Sequence, residues 1–360
     1  MAEKIAASVS EAGGSTYYVG GYVRDKLLGI DNKDIDIEIH GISPEKLADI
    51  LDSLGKRTEM GASFGIYGLR GYDLDIAMPR KEEATGRGHK DFAVYVDPYL
   101  GTYKAALRRD FTMNALMQDV LTGKVVDHFG GVADLHKGVL RHVNSKTFVE
   151  DPLRVLRAAQ FAARFDFTLA PETVNLARTM DLSALASERI FGELEKALLK
   201  AERPSVFFRE MSRMEQMTLW FPEVEQLKGI EQNPLYHPEG DVYIHSMQVL
   251  DRAALYREQA KNPVAFMLSA LVHDFGKITA TRTTEKGIQA IGHETEGLPL
   301  VETFIRRLTN EAGLRKYVLN MTRLHMRPNR LAADHARLQA TNRMFDESVD
   351  PRGLLLLTRC

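Results

Sequence analysis

Hydrophobic and polar positions follow two different periods along the chain. In residues 1–142, short apolar runs end at glycines and alternate with helix-like spacing, which predicts a mixture of strands and helices. In the clearest strand, Ile35, Ile37 and Ile39 alternate with acidic residues, so one face is apolar and the other acidic. The other elements predicted in this part are a strand at Tyr17–Val19, a helix at Val23–Leu28 and a strand at Asp73–Met78.

The rest of the chain has the spacing of amphipathic helices, with apolar residues three and four positions apart. This pattern covers Glu150 to Leu227, stops at Gly229–Asp241, which contains two prolines and two glycines, and resumes from Val242 to the end. The sequence therefore predicts an α+β head at residues 1–142, an all-helical neck at 143–228 and a second helical domain at 229–360.

Composition places the chain among ordinary globular proteins, since 44% of its 360 residues are hydrophobic and 27% are charged. Its one cysteine, Cys360, excludes an internal disulfide and fits a reducing cytoplasm. The apolar runs, such as Gly353–Leu357, are too short to cross a bilayer, so we expect a cytoplasmic protein without a membrane partner.

The net charge of −2 is a mild argument against an RNA partner, because binding to phosphates favours lysine and arginine. Local clusters matter more than the sum. Three basic clusters are present, at residues 80–90, at Arg108-Arg109 and at Arg154, Arg157 and Arg164. Each of them alone is equally consistent with a solvated surface.

The acidic strand face carries the first candidate chemistry. Asp34 and Asp36 lie on one side of the strand, where their oxygens can share hard cations such as Mg²⁺, and Asp75 on the second predicted strand is a third candidate. Two bridged cations suit the transfer of a nucleotide to a 3′-hydroxyl with departure of pyrophosphate. Taken alone, two aspartates separated by one residue more often mark only the solvent-exposed face of a strand.

A glycine pair precedes this strand. Gly20-Gly21 before a helix allows backbone N–H groups to approach a triphosphate closely, and Arg24 can add a charged contact to the same phosphates. A glycine pair is usually only a turn, but glycine turn, helix and acidic strand within about 20 residues are much less frequent by chance.

A second constellation opens the neck. Asp151 precedes Pro152, which suits the first position of a helix, and Arg154 and Arg157 follow at spacings of three. C and A both present an amino donor beside a ring acceptor, which an aspartate acceptor and an arginine donor match, whereas G and U would be mismatched at a cost of about 1–3 kcal/mol. The alternative is that Asp151 only caps the helix and the arginines are solvated.

Histidines are the candidate ligands of the C-terminal part. His273-Asp274 ends an apolar helix, where such a pair is unusual unless it is paired or bound to a metal. His245, His293 and His325 are further imidazoles, and each alone is more often a satisfied core or surface residue.

Several stretches in order resemble one family. Gly20–Asp36 resembles the signature of the polymerase-beta-like nucleotidyltransferases, in particular the bacterial class II CCA-adding enzymes and poly(A) polymerases. Four further stretches resemble later motifs of that family. They are Arg108–Ala115, Asp127–Gly131 with Asp134-Leu135, Glu150–Arg157 and Ser187–Leu198. We read the last stretch as structural, with an apolar stripe and polar residues facing out.

The resemblance implies a polymerase-beta-like head and roles for individual residues. Asp34, Asp36 and Asp75 would be catalytic, with Asp34 and Asp36 as Mg²⁺ ligands. The residues implied to bind the nucleotide are Gly20, Gly21, Arg24, Arg108, Arg109, Asn114, Asp151, Arg154 and Arg157. The chain departs from the family at Gln160, where relatives often carry an arginine, so a charged phosphate contact would be lost there.

The ordered histidines resemble the HD phosphohydrolase domain, which implies that His245, His273 and Asp274 bind a second divalent metal. That fold needs a final aspartate shortly after a leucine-rich run, but the chain stops at Cys360, and Asp346 and Asp350 come too early. We therefore expect an incomplete site, a C-terminal truncation, and little or no hydrolase activity.

The function that this resemblance implies is the addition of C and A from CTP and ATP to the 3′ end of tRNA, with Mg²⁺ and release of pyrophosphate. Poly(A) polymerases and enzymes that add only CC or only A share the head motifs and remain alternatives. A more remote alternative is an HD phosphohydrolase whose head only binds RNA.

Overall fold

The computed structural model describes residues 1–59, 66–84, 92–285 and 287–360. The predicted basic cluster at 80–90 lies largely outside these residues. The chain divides into two compact units, which are Met1–Arg154 with Thr168–Leu176, and Val155–Phe167 with Ala177–Cys360. Among the described residues, no helix combines the length and apolar character needed to cross a membrane.

The first unit is built on a mixed sheet. Its strands are β1 Ser15–Val19, β2 Ile35–His40, β3 Arg57–Glu59, β4 Ile66–Leu69, β5 Leu74–Ala77, β6 Arg80–Ala84, β7 Phe92–Val96, β8 Met117–Asp119, β9 Val125–Val126, β10 Val139–Leu140 and β11 Thr168–Leu169. Seven of them form one sheet in the order β3-β4-β5-β2-β1-β8-β9. In this sheet β2 pairs antiparallel with β1 and parallel with β5.

Two helices, at residues 2–11 and 44–54, pack against the apolar side of this sheet. The helices that begin in the first unit are α1 Ala2–Glu11, α2 Gly21–Leu27, α3 Pro44–Leu54, α4 Thr102–Leu107, α5 Gly131–Lys137, α6 Ser145–Phe148, α7 Leu153–Phe165 and α8 Pro171–Arg178. Ile37 and Ile39 of β2 are fully buried in one core with Ile5 of α1 and Leu47 of α3. The apolar face predicted for this strand is therefore confirmed, and it leaves the acidic face on the other side.

The second unit is almost entirely helical. Its remaining helices are α9 Ser187–Lys200, α10 Ser205–Arg213, α11 Pro222–Glu225, α12 Val242–Ala254, α13 Pro263–Val272, α14 Lys277–Ala280, α15 His293–Glu296, α16 Leu298–Leu308, α17 Ala312–Leu324, α18 Arg327–Ala333, α19 Leu338–Glu347 and α20 Pro351–Thr358. Every residue of α13 from Ala265 to Val272 is buried. Because α13 is apolar on all sides, it forms the centre of this core, packed against α9, α12, α17 and α20.

The predicted α+β head followed by helices is confirmed, with two local exceptions to the helical pattern. Strand β11, at Thr168–Leu169, pairs parallel with β10 inside the region predicted as an all-helical neck. Strands β12 Arg282–Thr284 and β13 Gly287–Gln289 pair antiparallel, where the sequence predicted helix. This short exposed hairpin has too few residues to show a strand period. Residues 229–241, all of them described, contain turns without helix or strand. The domain limits at 142 and 228 stay predictions.

Candidate active site

The acidic face of the head is assembled by the pairing of two strands. Asp36 on β2 lies directly opposite Asp75 on β5 in the parallel register. Burial, and then the negative charge of Asp75, raise the pKa of the Asp36 carboxyl above its usual value, against the opposing effect of Arg109. Holding two carboxylates side by side is unfavourable because their negative charges repel. A divalent cation would relieve this repulsion, and carboxylate oxygens are ligands that such a cation prefers.

Asp34 lies just before β2 and shares the side of Asp36, two residues away. Its side chain is exposed, and its backbone N–H donates to Oδ1 of Asn32 at 3.0 Å. The three carboxylates predicted as catalytic thus occur on neighbouring positions of one sheet. Their roles stay predictions.

Arg109 lies between the glycine turn and this acidic face. Gly20 has a φ of 62°, and a Cβ there would be 3.2 Å from Nη1 of Arg109. The other terminal nitrogen, Nη2, is 3.3 Å from Oε2 of Glu38. Glu38 is the next residue of the acidic face after Asp36 and also accepts a bond from Nε2 of His40 at 2.9 Å. A cation with one-third of its side chain exposed is therefore anchored beside the carboxylates.

Arg24 and Asn114, both predicted to bind nucleotide, are buried and bonded to each other. Nη1 of Arg24 donates to Oδ1 of Asn114 at 2.7 Å, and its Nε donates to Oδ1 of Asp25 at 2.7 Å. Nδ2 of Asn114 donates to Oδ1 of Asp110 at 3.0 Å. These contacts join α2 to the segment after α4, so the structure gives both residues a scaffold role. Their nucleotide contacts stay predictions.

Two further contacts fix the start of α7. Arg154 donates from Nη1 to the carbonyl of Thr147 at 2.6 Å and from Nη2 to the carbonyl of Arg108 at 2.9 Å. Burial lowers the pKa of Arg154. Oδ1 of Asp151 accepts from the N–H of Leu153 at 3.1 Å, so the capping contact of the alternative interpretation is present. The capping contact does not test whether Asp151 and Arg154 select the base, and that role stays a prediction.

Arg157 belongs to the second unit. Its Nη1 is 4.0 Å from Oε1 of Glu193, and its guanidinium lies 5.0 Å from the centre of the Phe161 ring. Glu193 is buried on α9, which corrects the prediction that the polar residues of this helix face out. Gln160 is also buried, and its Nε2 has no hydrogen-bond partner among the described residues.

The stretch Asp127–Gly131 with Asp134 resembles a family motif, but the sequence alone assigned it no role. Asp127 accepts the N–H groups of Gly131 and Val132 at the start of α5, at 2.9 and 3.0 Å. Oδ2 of Asp134 on the same helix accepts from Oγ1 of Thr112 at 2.7 Å. A Cβ at Gly131 would collide with the carbonyl of Thr112. This motif therefore holds the segment that carries Arg109 and Asn114.

The helical unit contains a second cluster, larger than the sequence predicted. The predicted ligands His245, His273 and Asp274 come together, and His293 and His325 join them. The Nε2 atoms of His245 and His273 are 3.6 and 3.2 Å from Oδ2 of Asp274, and those of His293 and His325 are 3.1 and 3.8 Å from Oδ1. Asp274 thus lies between two pairs of imidazoles. The expectation that a final aspartate ligand is missing stays a prediction.

The charges in this cluster favour a metal. Burial works against the ionised Asp274, but His273 and Lys277 outweigh it and hold its pKa well below its ordinary value. Burial, and then the neighbouring His273, lower the pKa of His245 to about 4 and that of His325 to about 3. For His293, burial is outweighed by the hydrogen bond to Asp274 and by its charge, which raise the pKa of the ring. The ionised carboxylate and the neutral rings of His245 and His325 are the forms that bind a divalent cation. A cavity of about 500 Å³ opens beside them.

Comparison with known families gives two matches. Residues 16–141 match the family of the Poly A polymerase head domain, and residues 242–356 match the HD domain.

Two curated relatives are similar over most of the chain. Both are named "Multifunctional CCA protein". That of Nitrosospira multiformis is 38% identical over 314 residues, which is 86% of this chain and 73% of the relative. That of Methylobacillus flagellatus is 40% identical over 299 residues, which is 81% of this chain and 69% of the relative.

Solved structures agree in fold. A CCA-adding enzyme in its apo form II superimposes with a TM-score of 0.71 at 22% identity, covering 99% of this chain and 78% of that one. The Thermotoga maritima CCA-adding enzyme complexed with tRNA_CCA superimposes with a TM-score of 0.65 at 22% identity, covering 98% and 77%. The fold predicted from the motifs, a nucleotidyltransferase head followed by a helical HD-type region, is therefore confirmed.

Proposed function

We propose that the chain, which belongs to the family of the multifunctional CCA proteins, adds C and A from CTP and ATP to the 3′ end of tRNA and releases pyrophosphate. Similarity to relatives of that name over more than four-fifths of the chain supports this reaction. The alternatives, poly(A) addition and CC-only or A-only addition, use the same head.

The observation that carries the proposal is the acidic face with its adjacent cation. Asp36 and Asp75 are opposed on neighbouring strands, and Arg109 lies between them and the Gly20 turn. Nucleotidyl transfer needs carboxylates for divalent cations beside a positive group for phosphates. We propose Mg²⁺ as the cation, because carboxylate oxygens are its preferred ligands, with Asp34, Asp36 and Asp75 as the residues that would hold it.

When bound, Mg²⁺ activates the 3′-hydroxyl and neutralises the departing pyrophosphate. The protein's own residues position the reactants. Arg109 would bind oxygens of the triphosphate, and the absence of a Cβ at Gly20 and Gly21 would let the phosphates approach the backbone. Lys and Arg contacts to phosphate carry no base preference, so selection must come from other residues.

Base selection is proposed for Asp151 and Arg154. The carboxylate would accept from the amino group shared by C and A, and the guanidinium would donate to their unprotonated ring nitrogen. The two observed contacts of Arg154 to carbonyls use two of the five N–H donors of a guanidinium and fix its plane. This arrangement would reject G and U, whose edges present a carbonyl beside a ring N–H.

We further propose the division into a nucleotidyltransferase head at 1–142, a neck at 143–228 and an HD-type domain at 229–360. A cytoplasmic location is proposed from the tRNA substrate and from the absence of any cysteine other than Cys360.

The test is a nucleotide incorporation assay with tRNAs that end before CCA, after C and after CC, each offered one labelled nucleoside triphosphate with Mg²⁺. We expect CMP on the first two, a single AMP on the third, and no incorporation from UTP or GTP. A run of AMP on every tRNA would identify a poly(A) polymerase. Failure at one of the three steps would identify a CC-only or A-only enzyme, and no incorporation at all would refute the proposal.

A second candidate function is supported by the five-residue cluster. Four imidazoles and Asp274 border the cavity of about 500 Å³, together with the cation Lys277. We propose that this cluster binds a divalent transition metal, since imidazoles suit such ions. The expectation of little or no hydrolase activity, made from the missing final aspartate, stays a prediction. The metal titration described below tests the binding step.

A further inference from the structure

All four imidazoles of the cluster are oriented in the same way. In each ring, Nδ1 bonds an oxygen outside the cluster, so that Nε2 is left to face Asp274. A second-layer oxygen that accepts from one ring nitrogen fixes the tautomer and leaves the other nitrogen as the ligand. The geometry of the cluster therefore depends on four oxygen atoms that do not belong to it.

Three of these oxygens are backbone carbonyls three residues earlier in the chain. Nδ1 of His273 bonds the carbonyl of Ala270 at 2.9 Å, that of His293 bonds Ala290 at 2.7 Å, and that of His325 bonds Thr322 at 2.6 Å. These carbonyls are available because two of the histidines directly follow helices α13 and α17, whose last carbonyls have no partner inside the helix.

His245 is held differently. It lies in the first turns of α12, where the backbone continues as helix, and its Nδ1 bonds Oε1 of Glu239 at 2.7 Å. The same oxygen is 2.9 Å from Nδ1 of His237. His245 is thus the one ring of the four whose partner is a side chain, and a charged one.

We propose that Glu239 is a positioning residue, which holds His245 so that its Nε2 faces Asp274 and makes it a stronger ligand for a divalent cation. This inference rests on the metal binding proposed above for the cluster. A carboxylate partner makes an imidazole more basic than a carbonyl partner does, because the negative charge stabilises the positive charge that the ring shares with the metal.

The backbone around Glu239 is fixed by its own contacts. Oδ1 of Asp241 accepts from the N–H of Ile244 at 2.8 Å and caps α12, while its Oδ2 accepts from the N–H of Gly229 at 2.7 Å. Gln232, from the same stretch, accepts from Nζ of Lys277 at 2.8 Å. The segment 229–241, predicted only as a linker, therefore supplies side chains that bond His245 of the cluster and the neighbouring Lys277.

His237, Glu239 and His245 are also close enough to hold an ion of their own. In that case His245 would use Nδ1 as its ligand. The distances of 2.7 and 2.9 Å to one carboxylate oxygen are those of charge-assisted hydrogen bonds, which favours the positioning role. The number of ions bound per chain separates the two interpretations.

The experiment is a titration of the metal-stripped whole chain with Co²⁺, followed by its visible absorption, with the bound metal counted by mass spectrometry. Variants are Glu239→Ala, Glu239→Gln, His237→Ala, His245→Ala and the double variant of His245→Ala with Glu239→Ala. Glu302→Gln is the matched control, because Glu302 is a glutamate of the same unit that pairs with Arg306 away from the cluster. Thermal unfolding verifies that each variant is folded.

We expect Glu239→Ala to weaken Co²⁺ binding about 10- to 100-fold, the usual effect of losing a second-layer partner, and Glu239→Gln to weaken it less because the amide oxygen still accepts. In the His245→Ala background, loss of Glu239 should have no further effect, since it acts through that ring. His237→Ala and Glu302→Gln should leave the number of bound ions unchanged.

Three results would overturn the inference. If Glu239→Ala binds Co²⁺ as tightly as the unchanged chain, Glu239 is not needed to orient His245 for metal binding. If it weakens binding equally with and without His245, Glu239 does not act through that ring. If His237→Ala removes one bound ion, these three residues are a metal site of their own. Absence of Co²⁺ binding by the unchanged chain would instead refute the proposed metal centre itself.

Discussion

The acidic face of the head and the histidine cluster of the helical unit both gather around aspartates, but they are built in opposite ways. Asp36 and Asp75 lie on adjacent strands, so one register of strand pairing sets their separation. The cluster takes its residues from α12, α15 and the ends of α13 and α17, so its geometry depends on the packing of four helices. The first site needs one pairing of strands, and the second needs the packing of several helices.

The ligand atoms differ as well. The head offers carboxylate oxygens at the surface, where Asp34 and Asp75 are exposed and Asp36 is partly buried. The helical unit offers four imidazole nitrogens around the fully buried Asp274. Oxygen ligands suit Mg²⁺ with its retained waters, and imidazoles suit transition metals. The two candidate metal sites are therefore chemically distinct, and we expect them to act independently.

The largest effect that tests this independence is expected from Asp36→Ala. Nucleotide addition should fall at least about 10³-fold, since a cation ligand is lost, while Co²⁺ binding by the histidine cluster stays unchanged. Incorporation of labelled CTP is the measurement. Asp52→Ala is the control, because Asp52 is an exposed carboxylate of the same unit that pairs with Arg57. Near-normal incorporation by Asp36→Ala would refute the role of the acidic face.

A smaller effect is expected from changing the start of α7. Asp151→Ala should reduce the preference for CTP and ATP over UTP and GTP by about 5- to 150-fold, as expected for about 1–3 kcal/mol of mismatched hydrogen bonding. Because Asp151 also caps the helix, we expect this variant to lose about 1 kcal/mol of stability as well.

The variant Asp151→Ser separates these two effects. Serine caps a helix about as well as aspartate, but it is too short to reach a base. We expect Asp151→Ser to recover the stability and still lose the selectivity, measured as the ratio of kcat/KM values for the four nucleotides. Unchanged selectivity in both variants would leave Asp151 as a helix cap alone.

The sequence predicted the elements whose evidence is local. The alternation around Ile37 identified β2 and its acidic face, because a strand has a period of two whatever surrounds it. The stretch before His273, apolar except for Ser269, identified α13, and the fold class followed from these patterns together with the family motifs.

The sequence could not predict what depends on contacts between distant residues. The role of Arg24 as a phosphate contact stays a prediction, and nothing in the sequence indicated its bond to Asn114, 90 positions away. His293 and His325 were noted without a place in the site, because only the packing of α15 and α17 brings them to Asp274. Glu239 gave no signal at all, since it lies in a segment that looked like a linker.

The smallest effect that we predict concerns Glu38, the buried carboxylate behind Arg109. Burial opposes ionisation of Glu38, but hydrogen bonds from His40 and the charge of Arg109 hold its pKa below the ordinary value. Glu38→Gln keeps the size of the side chain and removes the charge that anchors the guanidinium. Because Arg109 is one-third exposed, water will screen much of this interaction, and about 0.5–1 kcal/mol should be lost.

That loss corresponds to an increase of about 2- to 5-fold in the KM for CTP and ATP, with a smaller change in kcat, because anchoring of the triphosphate is weakened while the cation ligands are kept. In an Arg109→Ala background the same change should have no further effect. Glu45→Gln, on the exposed start of α3, is the control. A collapse of kcat at unchanged KM would mean that Glu38 belongs to the cation site. The cation site would then include Glu38 as well as Asp36, and it would depend on a buried carboxylate, as the proposed histidine site does with Asp274.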